Sequence, residues 1–322
     1  MSGELTARHE EFADAGRGIT LCYERIGDPD GEPLVLIAGL GQQLHSWPTG
    51  LCTQLADRGF AVVRFDNRDA GRSTHVAAEP PGPLAMLTGR PRPHGYHLGD
   101  LARDTVGLLD ALGLERAHLA GMSMGGMIAQ TVAAHFPSRV SSLASIMSTT
   151  GARRTGRPAW STWPLLMAPG PAGRAAAAEA AVRAYRHIGS HGFPFDEAWV
   201  RAEAEASWDR DPAGAAGAAR QLAAIFATGD RTRELAGIGV PTVVIHGDRD
   251  RMVEPGGGVA TARAIPGARL VTIAGMGHDL PAGAWPRIVD LVHANACRAG
   301  TAATAVTSTV PSVRSGHVEK SA

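Results

Sequence analysis

The chain contains few aromatic residues and few cysteines. Aromatic residues make up 5% of the 322 residues, and the cysteines are Cys22, Cys52 and Cys297. An odd number of cysteines without metal-ligand spacing excludes a disulfide framework and a structural zinc site, so we expect free thiols. The length suits one large domain with an insertion, or two small domains, and either can bury a substantial core.

The chain also lacks an excess of charge and a long apolar run. Its 31 Lys and Arg balance 31 Asp and Glu, so the chain has no net positive charge that would attract nucleic acid or an anionic membrane. No stretch approaches the roughly 18 apolar residues of a membrane span, and the N-terminus has no apolar signal-peptide core. We expect a soluble, cytoplasmic protein with a small-molecule partner, and the oligomeric state stays open.

Short β-rich runs alternate with longer helical patterns along the chain. Runs such as "PLVLIAG" and "TVVIHG" are apolar without alternation, which is typical of parallel strands covered by helices on both faces. The predicted strands are 33–39, 60–66, 117–121, 143–147, 242–247 and 269–275. The predicted helices are 98–112, 124–136, 257–264 and 284–297. The sequence therefore predicts an α/β fold with a mostly parallel central sheet.

The strand rhythm stops in the middle of the chain. Residues 149–235 are rich in Ala and Arg and contain much of the aromatic content, which predicts an inserted helical lid. Residues 1–148 and 236–297 would then form the two parts of the core domain. Residues 298–322 lack large apolar residues at a regular period, so we expect a disordered tail. Most lid aromatics should pack within the lid and a few should face the cleft.

A single serine lies at a change of period in "AHLAGMSMGGMIAQ", residues 117–130. The motif G-x-S-x-G alone is weak evidence, but here a predicted strand enters it and a predicted helix leaves it. A sharp turn at that point lifts the serine hydroxyl clear of the sheet, and Gly121 and Gly125 permit the close backbone approach. Ser123 is therefore a candidate nucleophile, against the alternative of a simple tight turn.

A serine nucleophile needs a base and a group that orients the base. Two predicted strands near the C-terminus end in "DRDRMVEP" and "MGHDLP", which places an acid before a histidine in chain order. We select His278 as the base. For the acid we favour Asp250 over Asp248, because a carboxylate directly after Gly247 often closes a turn on its own backbone.

Acyl transfer also requires backbone N–H groups that stabilise the oxyanion. One should come from Met124, the residue after the proposed nucleophile. The other should come from the loop after the strand 33–39, where Leu40 stands between Gly39 and Gly41. The two glycines are also consistent with an ordinary turn.

With these elements in order, the chain resembles the α/β-hydrolase family from about residue 9 to residue 297. "RFDNRDAGRST", "GMSMGGMIAQ" and "GMGHDLP" are similar to motifs of its methylesterase-like branch. In that branch the D-x-R-x-x-G-x-S stretch is a structural turn beside the active site, so Asp66, Arg68, Gly71 and Ser73 receive no chemical role. Ala38 stands where many relatives have histidine, and Asp69 where many have glycine.

The resemblance implies a serine esterase with the catalytic residues Ser123, Asp250 and His278, and without cofactor or metal. The resemblance also suggests the substrate: an ester, such as a methyl ester, of a bulky hydrophobic or polyketide-like compound. Two alternatives keep the same fold. One is a cofactor-free perhydrolase or haloperoxidase-like enzyme, and the other is a small-molecule binding module without catalysis.

Overall fold

The computed structural model describes residues 9–79, 95–166, 168 and 170–307. Its strands are β1 (Glu11–Asp14), β2 (Thr20–Ile26), β3 (Glu32–Ile37), β4 (Phe60–Phe65), β5 (Ala117–Met122), β6 (Val140–Ile146), β7 (Thr242–Gly247) and β8 (Arg269–Ile273). They form one sheet with the order β1-β2-β4-β3-β5-β6-β7-β8. The strands from β4 to β8 in this order pair in parallel, whereas β1 and β2 are antiparallel to their neighbours.

The predicted parallel strands are confirmed, and the antiparallel strands β1 and β2 were not predicted. β1 is only four residues long, and both strands contain charged residues, so neither forms an uninterrupted apolar run. A hairpin signal was nevertheless available: Gly16, Arg17 and Gly18 between the two strands all have positive φ values. Glycines that permit positive φ are typical of hairpin turns.

Helices cover both faces of the sheet, as expected for an α/β fold. They are α1 (Thr49–Ala56), α2 (Leu98–Ala111), α3 (Met124–His135), α4 (Trp163–Leu166), α5 (Arg174–Ile188), α6 (Glu197–Arg210), α7 (Gly214–Thr228), α8 (Thr232–Leu235), α9 (Gly256–Ala264) and α10 (Trp285–Thr307). One buried cluster joins the sheet to α2 and α3, and a second joins it to α1 and α10. The first ten residues of α3 are all buried, so this helix lies within the core.

Helices α4 to α8 all lie between β6 and β7 in the chain, where the sequence predicts an insertion. Below, residues 149–235 are called the inserted segment. Two buried ion pairs join it to the loop after β4: Arg210 to Asp66 at 2.7 Å and Arg220 to Asp69 at 2.6 Å. Because these charges are almost fully buried, separating the inserted segment from the loop would leave carboxylates unpaired in the interior.

Helix α10 continues further than the sequence predicts. It ends at Thr307, so the proposed disordered tail does not begin at Arg298. The residues after Arg298 include several alanines, the residue with the highest helix propensity, and they prolong the helix that precedes them. The remainder of the predicted tail, 308–322, lies outside the described residues.

Candidate active site

Ser123 occupies the turn between β5 and α3 with an unusual backbone conformation. Its φ of 54° and ψ of −119° are strained for a residue with a side chain. The turn is tight, since a Cβ atom on Gly121 would lie 2.1 Å from the carbonyl oxygen of Gly125, and one on Gly125 would lie 2.0 Å from that of Ile37. Packing therefore requires glycine at positions 121 and 125, two residues before and two residues after Ser123.

Hydrogen bonds from β6 and from the residues after it fix the backbone of Ser123. Its N–H donates to the carbonyl of Ile146 at 2.9 Å. Its own carbonyl accepts the hydroxyl of Ser148 at 2.8 Å. The strained conformation is thus held from two sides, as expected where strain serves a site.

The Ser123 hydroxyl meets His278, which in turn meets Asp250. Ser123 Oγ lies 3.0 Å from His278 Nε2, and His278 Nδ1 lies 2.8 Å from Asp250 Oδ2. A carboxylate can only accept a hydrogen bond, so Nδ1 carries the proton and Nε2 is free to accept one from serine. The structure brings these three residues together from the carboxyl ends of β5, β7 and β8.

The environment of Asp250 keeps it ionised. Its Oδ1 accepts the backbone N–H groups of Met252 at 2.9 Å and Val253 at 2.8 Å. Burial alone would raise its pKa, but the charge of His278 and hydrogen bonds from His246 and His278 outweigh burial and lower the pKa to about 2. The carboxylate is therefore charged at neutral pH and can stabilise a protonated His278.

A second histidine adjoins the same carboxylate. His246 Nε2 lies 3.4 Å from Asp250 Oδ2 and 2.7 Å from the carbonyl of Val253, which fixes the proton on Nε2. Its buried Nδ1 has no hydrogen-bond partner among the described residues and faces Gly258. The strand β7 thus supplies an imidazole that lies beside Asp250, a contact that the sequence reasoning missed.

The alternative acid, Asp248, lies elsewhere. Its side chain is exposed, and Oδ1 accepts the backbone N–H of Gly275 at 2.7 Å. Asp248 therefore links the ends of β7 and β8, while Asp250 is the carboxylate that contacts His278. The residue predicted to close a turn does bind a backbone N–H, but on the neighbouring strand rather than on its own loop.

The loop containing Leu40 forms a four-residue turn beside Ser123. The N–H of Gln42 donates to the carbonyl of Gly39 at 3.2 Å, and Gly41 has a φ of 65°, which is the pattern of a type II turn. A Cβ atom on Gly39 would lie 3.4 Å from Ser123 Cβ, so the turn adjoins the proposed nucleophile. The two glycines therefore do belong to an ordinary β-turn, and that turn lies beside the proposed nucleophile.

Most N–H groups of this turn are already bonded. Gly39 donates to the side chain of Gln42 at 3.0 Å, and Gly41 donates to the side chain of Gln221 at 2.8 Å. Among the described residues no partner is found for the N–H of Leu40 or Met124. Met124 begins α3, where the first N–H groups have no partner within the helix. Both predicted oxyanion donors thus remain available.

A small cavity of about 130 Å³ opens onto Ser123 and His278. Its walls come from both the core and the inserted segment, and they are mainly apolar and aromatic with a few polar groups. The aromatic contributors are Tyr185, Phe195, Trp199 and Trp285, and the polar ones include Gln42, Ser46, Ser190, Asp196 and Asp279. Phe195 thus does face the cleft, as expected of a few inserted aromatics.

Two partly buried side chains in the cavity wall have raised pKa values. Burial, followed by the charges of Glu203 and Asp279, raises the pKa of Tyr185 to about 12, so its hydroxyl stays protonated. Burial also raises the pKa of Asp279, which accepts the hydroxyl of Ser190. The sequence offered no signal for Tyr185, because nothing in the inserted segment shows which helix face meets the core.

The loop that carries His278 is bonded directly to the end of α5. The N–H of His278 donates to the carbonyl of Ile188 at 2.8 Å, and the N–H of Gly277 donates to the hydroxyl of Ser190 at 2.9 Å. A Cβ atom on Gly277 would lie 2.3 Å from the carbonyl oxygen of Gly189, so glycine is required there. The inserted segment therefore helps to position the histidine.

The stretch "DNRDAGRS" has the structural position that the resemblance implies. Asp66 accepts the N–H of Leu44 at 2.6 Å and that of Arg72 at 3.0 Å, and its carbonyl accepts the hydroxyl of Ser73. Arg68 pairs with Asp104 in the interior. Gly71 lies against the Asp66 carboxylate, where a Cβ atom would come within 2.2 Å. Asp69 adopts a φ of 66°, a conformation that glycine accepts more readily.

Neither a metal cluster nor a spanning helix is found in the part of the chain that the structure describes. In it, no group of three or more His, Cys, Asp or Glu residues could hold a metal ion. Likewise, no helix there combines the length and the apolar character needed to cross a bilayer. The absence of a cofactor and the cytoplasmic location stay predictions.

Comparison with known proteins agrees with this geometry. A family model described as the alpha/beta hydrolase fold matches residues 32–281. The chain is 32% identical over 287 residues to rhodomycin D methylesterase of Streptomyces sp. (strain C5), covering 82% of this chain and 90% of that protein. It is 30% identical over 288 residues to rhodomycin D methylesterase of Streptomyces peucetius, covering 82% and 90%.

A solved structure shows the same architecture. The enol-lactonase from Burkholderia xenovorans superposes on this chain with a TM-score of 0.62 and 25% sequence identity. The superposition covers 92% of this chain and 100% of the enol-lactonase. The sheet order, the strained serine turn and the family match thus lead to one conclusion: this chain belongs to the α/β-hydrolase family.

Proposed function

We propose that the protein is a serine hydrolase of carboxylic esters. The observation that carries the proposal is the continuous hydrogen-bond chain from Ser123 Oγ through His278 to Asp250, with distances of 3.0 and 2.8 Å. A nucleophile, a base that can accept its proton and a charged group that orients the base are the requirements of acyl transfer by serine.

In the first step, His278 Nε2 accepts the hydroxyl proton while Ser123 Oγ attacks the ester carbonyl. Asp250 stabilises the resulting imidazolium without taking its proton. The proton then passes from His278 to the alkoxy oxygen, the carbon–oxygen bond breaks and the alcohol leaves. In the second step, water gives a proton to His278 and attacks the acyl-enzyme, which releases the acid and restores Ser123.

The N–H groups of Leu40 and Met124 stabilise the oxyanion in both steps. Each is without a hydrogen-bond partner among the described residues. Leu40 lies in the turn beside Ser123, and Met124 directly follows Ser123 as the first residue of α3. Loss of one such donor typically costs about 3 kcal/mol of transition-state stabilisation. Leu40→Pro removes one donor, because proline has no N–H and is favoured at the second position of a type II turn.

The cavity and the relatives support a proposal for the substrate class. The enclosed volume of about 130 Å³ is below the roughly 300–1,000 Å³ of sites for drug-sized ligands, so it fits the ester group and the atoms next to it. Phe195 and Trp199 at its edge are each 38% exposed and offer an apolar surface for a larger acyl part. A methyl ester, which the names of the two methylesterase relatives also indicate, with a bulky hydrophobic acyl part suits this arrangement.

The first experiment is covalent labelling by a fluorophosphonate, read by intact mass. We expect one adduct on the wild type and on Ser142→Ala, and none on Ser123→Ala. Ser142 is a matched control because its hydroxyl also lies 2.8 Å from a histidine, His118. On a panel of aryl and methyl esters, Ser123→Ala should lose on the order of 10⁶-fold in kcat.

Each outcome distinguishes one function from another. Labelling of Ser142, or retention of most activity by Ser123→Ala, would contradict the proposal. A ligand that binds in the cavity without adduct or turnover would favour a binding module. Formation of peracid from acetate and peroxide, with little ester hydrolysis, would favour a perhydrolase.

A further inference from the structure

Gln221 is a buried side chain outside the cavity wall that touches the turn carrying Leu40. It stands on α7, in the inserted segment, and is 0% exposed. Its Oε1 accepts the N–H of Gly41 at 2.8 Å, and its Nε2 donates to the carbonyl of Arg68 at 2.8 Å. One amide therefore connects the turn at residues 39–42 with the loop after β4.

The bonds on either side of Leu40 leave its peptide little freedom. Gln42 holds the N–H of Gly39, and Gln221 holds the N–H of Gly41. The carbonyl of Gly39, which belongs to the same peptide plane as the N–H of Leu40, accepts the N–H of Gln42. The direction of the Leu40 N–H is therefore determined by bonds to its neighbours, one of which comes from a distant helix.

The bond from Gln221 also selects the conformation of the turn. In a type II turn the central peptide, here Leu40 to Gly41, is flipped relative to a type I turn. If this peptide flipped, the N–H of Gly41 would point away from Gln221, and the 2.8 Å hydrogen bond would break. A side chain at residue 41 would crowd α7, since a Cβ atom there would lie 3.0 Å from Ala218 Cβ, so glycine suits this position of the turn.

We propose that Gln221 is a positioning residue of the oxyanion site: from the inserted segment it holds the turn so that the Leu40 N–H stays directed at the reacting carbonyl. This inference rests on the proposed function, because it assigns Leu40 as an oxyanion donor. Gln221 touches neither substrate nor nucleophile. Its effect must pass through the backbone of the turn, and that route makes it testable.

The test is a double-mutant cycle with p-nitrophenyl butyrate as substrate. Gln221→Met keeps the length of the side chain and removes both hydrogen bonds, and we expect about a tenfold loss in kcat with KM within twofold. Leu40→Pro should lose on the order of 10² to 10³-fold in kcat. In the Leu40→Pro background, Gln221→Met should cause no further loss, because the donor that it positions is already gone.

Two controls separate positioning from general destabilisation. Leu40→Ala keeps the N–H, so its effect on kcat measures the contribution of the leucine side chain and separates it from that of the donor. Gln130→Met removes a comparably buried amide, which bonds Ser145 at 2.8 Å and Arg231 at 2.9 Å. It should lower Tm without changing kcat. Gln221→Asn replaces Gln221→Met if the latter fails to fold.

The outcomes distinguish this inference from the proposed function. Two outcomes overturn the positioning role and leave esterase chemistry intact. One is a further tenfold loss in kcat when Gln221→Met is added to Leu40→Pro. The other is an increase in KM in Gln221→Met without a change in kcat. Full kcat in Leu40→Pro overturns both the Leu40 assignment and this inference. Full activity in Ser123→Ala overturns the proposed function itself.

Discussion

Serine, histidine and carboxylate side chains lie in a row at each end of the parallel strands. The row at the carboxyl ends is called below the first chain, and the row near the amino ends the second chain. At the carboxyl ends, Ser123, His278 and Asp250 are joined by distances of 3.0 and 2.8 Å. Near the amino ends, Ser142 Oγ lies 2.8 Å from His118 Nδ1, and His118 Nε2 lies 3.6 Å from Glu32. The residue types match, but the surroundings differ.

The differences lie in the backbone and in access. Ser142 is part of the regular strand β6 and is 4% exposed, whereas Ser123 has a strained positive φ and lines a cavity. Glu32 is 76% exposed, whereas the Asp250 side chain is fully buried. A surface depression of about 450 Å³ lies near Asp110 and Arg139, but Ser142, His118 and Glu32 do not line it.

A row of matching residue types is therefore not sufficient grounds to propose an active site, and here the 3.6 Å between His118 Nε2 and Glu32 is also too long for a hydrogen bond. The first chain has a serine raised on a tight turn, two available N–H groups beside it and a carboxylate held by backbone bonds. The second chain has a solvated acid and a serine within a regular strand, so its polar atoms serve cross-strand pairing within the sheet.

The largest expected difference between the two chains appears when the carboxylate of each is neutralised in turn. Asp250→Asn should lower kcat by about 10⁴-fold, because the amide favours the wrong tautomer of His278. Glu32→Gln should leave kcat unchanged, since Glu32 contacts His118 at the other end of the sheet. Steady-state kinetics on the best ester of the panel measure both.

Asp248→Asn is the control for the choice of acid within the same loop. Its side chain binds Gly275 and does not reach His278, so we expect at most a small loss in activity. A loss in Asp248→Asn that equals the loss in Asp250→Asn would contradict the assignment of the acid and weaken the contrast between the two chains.

The three proposed catalytic residues could be selected from the sequence because each closely follows a predicted strand. Ser123, Asp250 and His278 stand in short loops after apolar runs, and strands of a parallel sheet bring such loops to one edge. The helix bounds of the core were also predicted within a few residues, apart from α1 and the extension of α10. Strong local patterns thus determined most of the core.

The supporting residues could not be predicted in the same way. Gln221 lies far from Gly41 in the chain, and its role depends on how α7 packs on the core. The hydrophobic pattern of an Ala-rich segment does not specify which face meets the sheet. The contact between Ser142 and His118 depends on strand register, which the apolar runs of β5 and β6 leave open.

A smaller effect distinguishes the two chains by the pH at which each loses stability. The folded-state pKa of Asp250 is lowered from 3.8 to about 2, which contributes about 2 kcal/mol to the free energy of unfolding above pH 4. That contribution is lost as the pH falls towards 2. Denaturant titrations from pH 5 to pH 2 should show a shallower decline for Asp250→Asn than for the wild type.

His118 should act at a higher pH. Burial, only partly opposed by Glu32, lowers its pKa from 6.5, so the unfolded state binds the proton more readily. Stability is then lost as the pH falls below about 6.5, and His118→Gln should remove that slope. Parallel curves for either variant and the wild type would contradict the corresponding charge state.

The smallest expected effect concerns backbone strain, and its sign should differ between the two serines. At Ser123, with a φ of 54° and a ψ of −119°, glycine avoids a Cβ penalty of about 1–2 kcal/mol, so Ser123→Gly should be more stable than Ser123→Ala. At Ser142, inside a strand, Ser142→Gly should be less stable than Ser142→Ala by roughly 0.5–1 kcal/mol. Both pairs lack the hydroxyl, so each difference reports the backbone alone. Urea unfolding of the four variants measures it, and an equal sign at both positions would show that the strain at Ser123 is absent in solution.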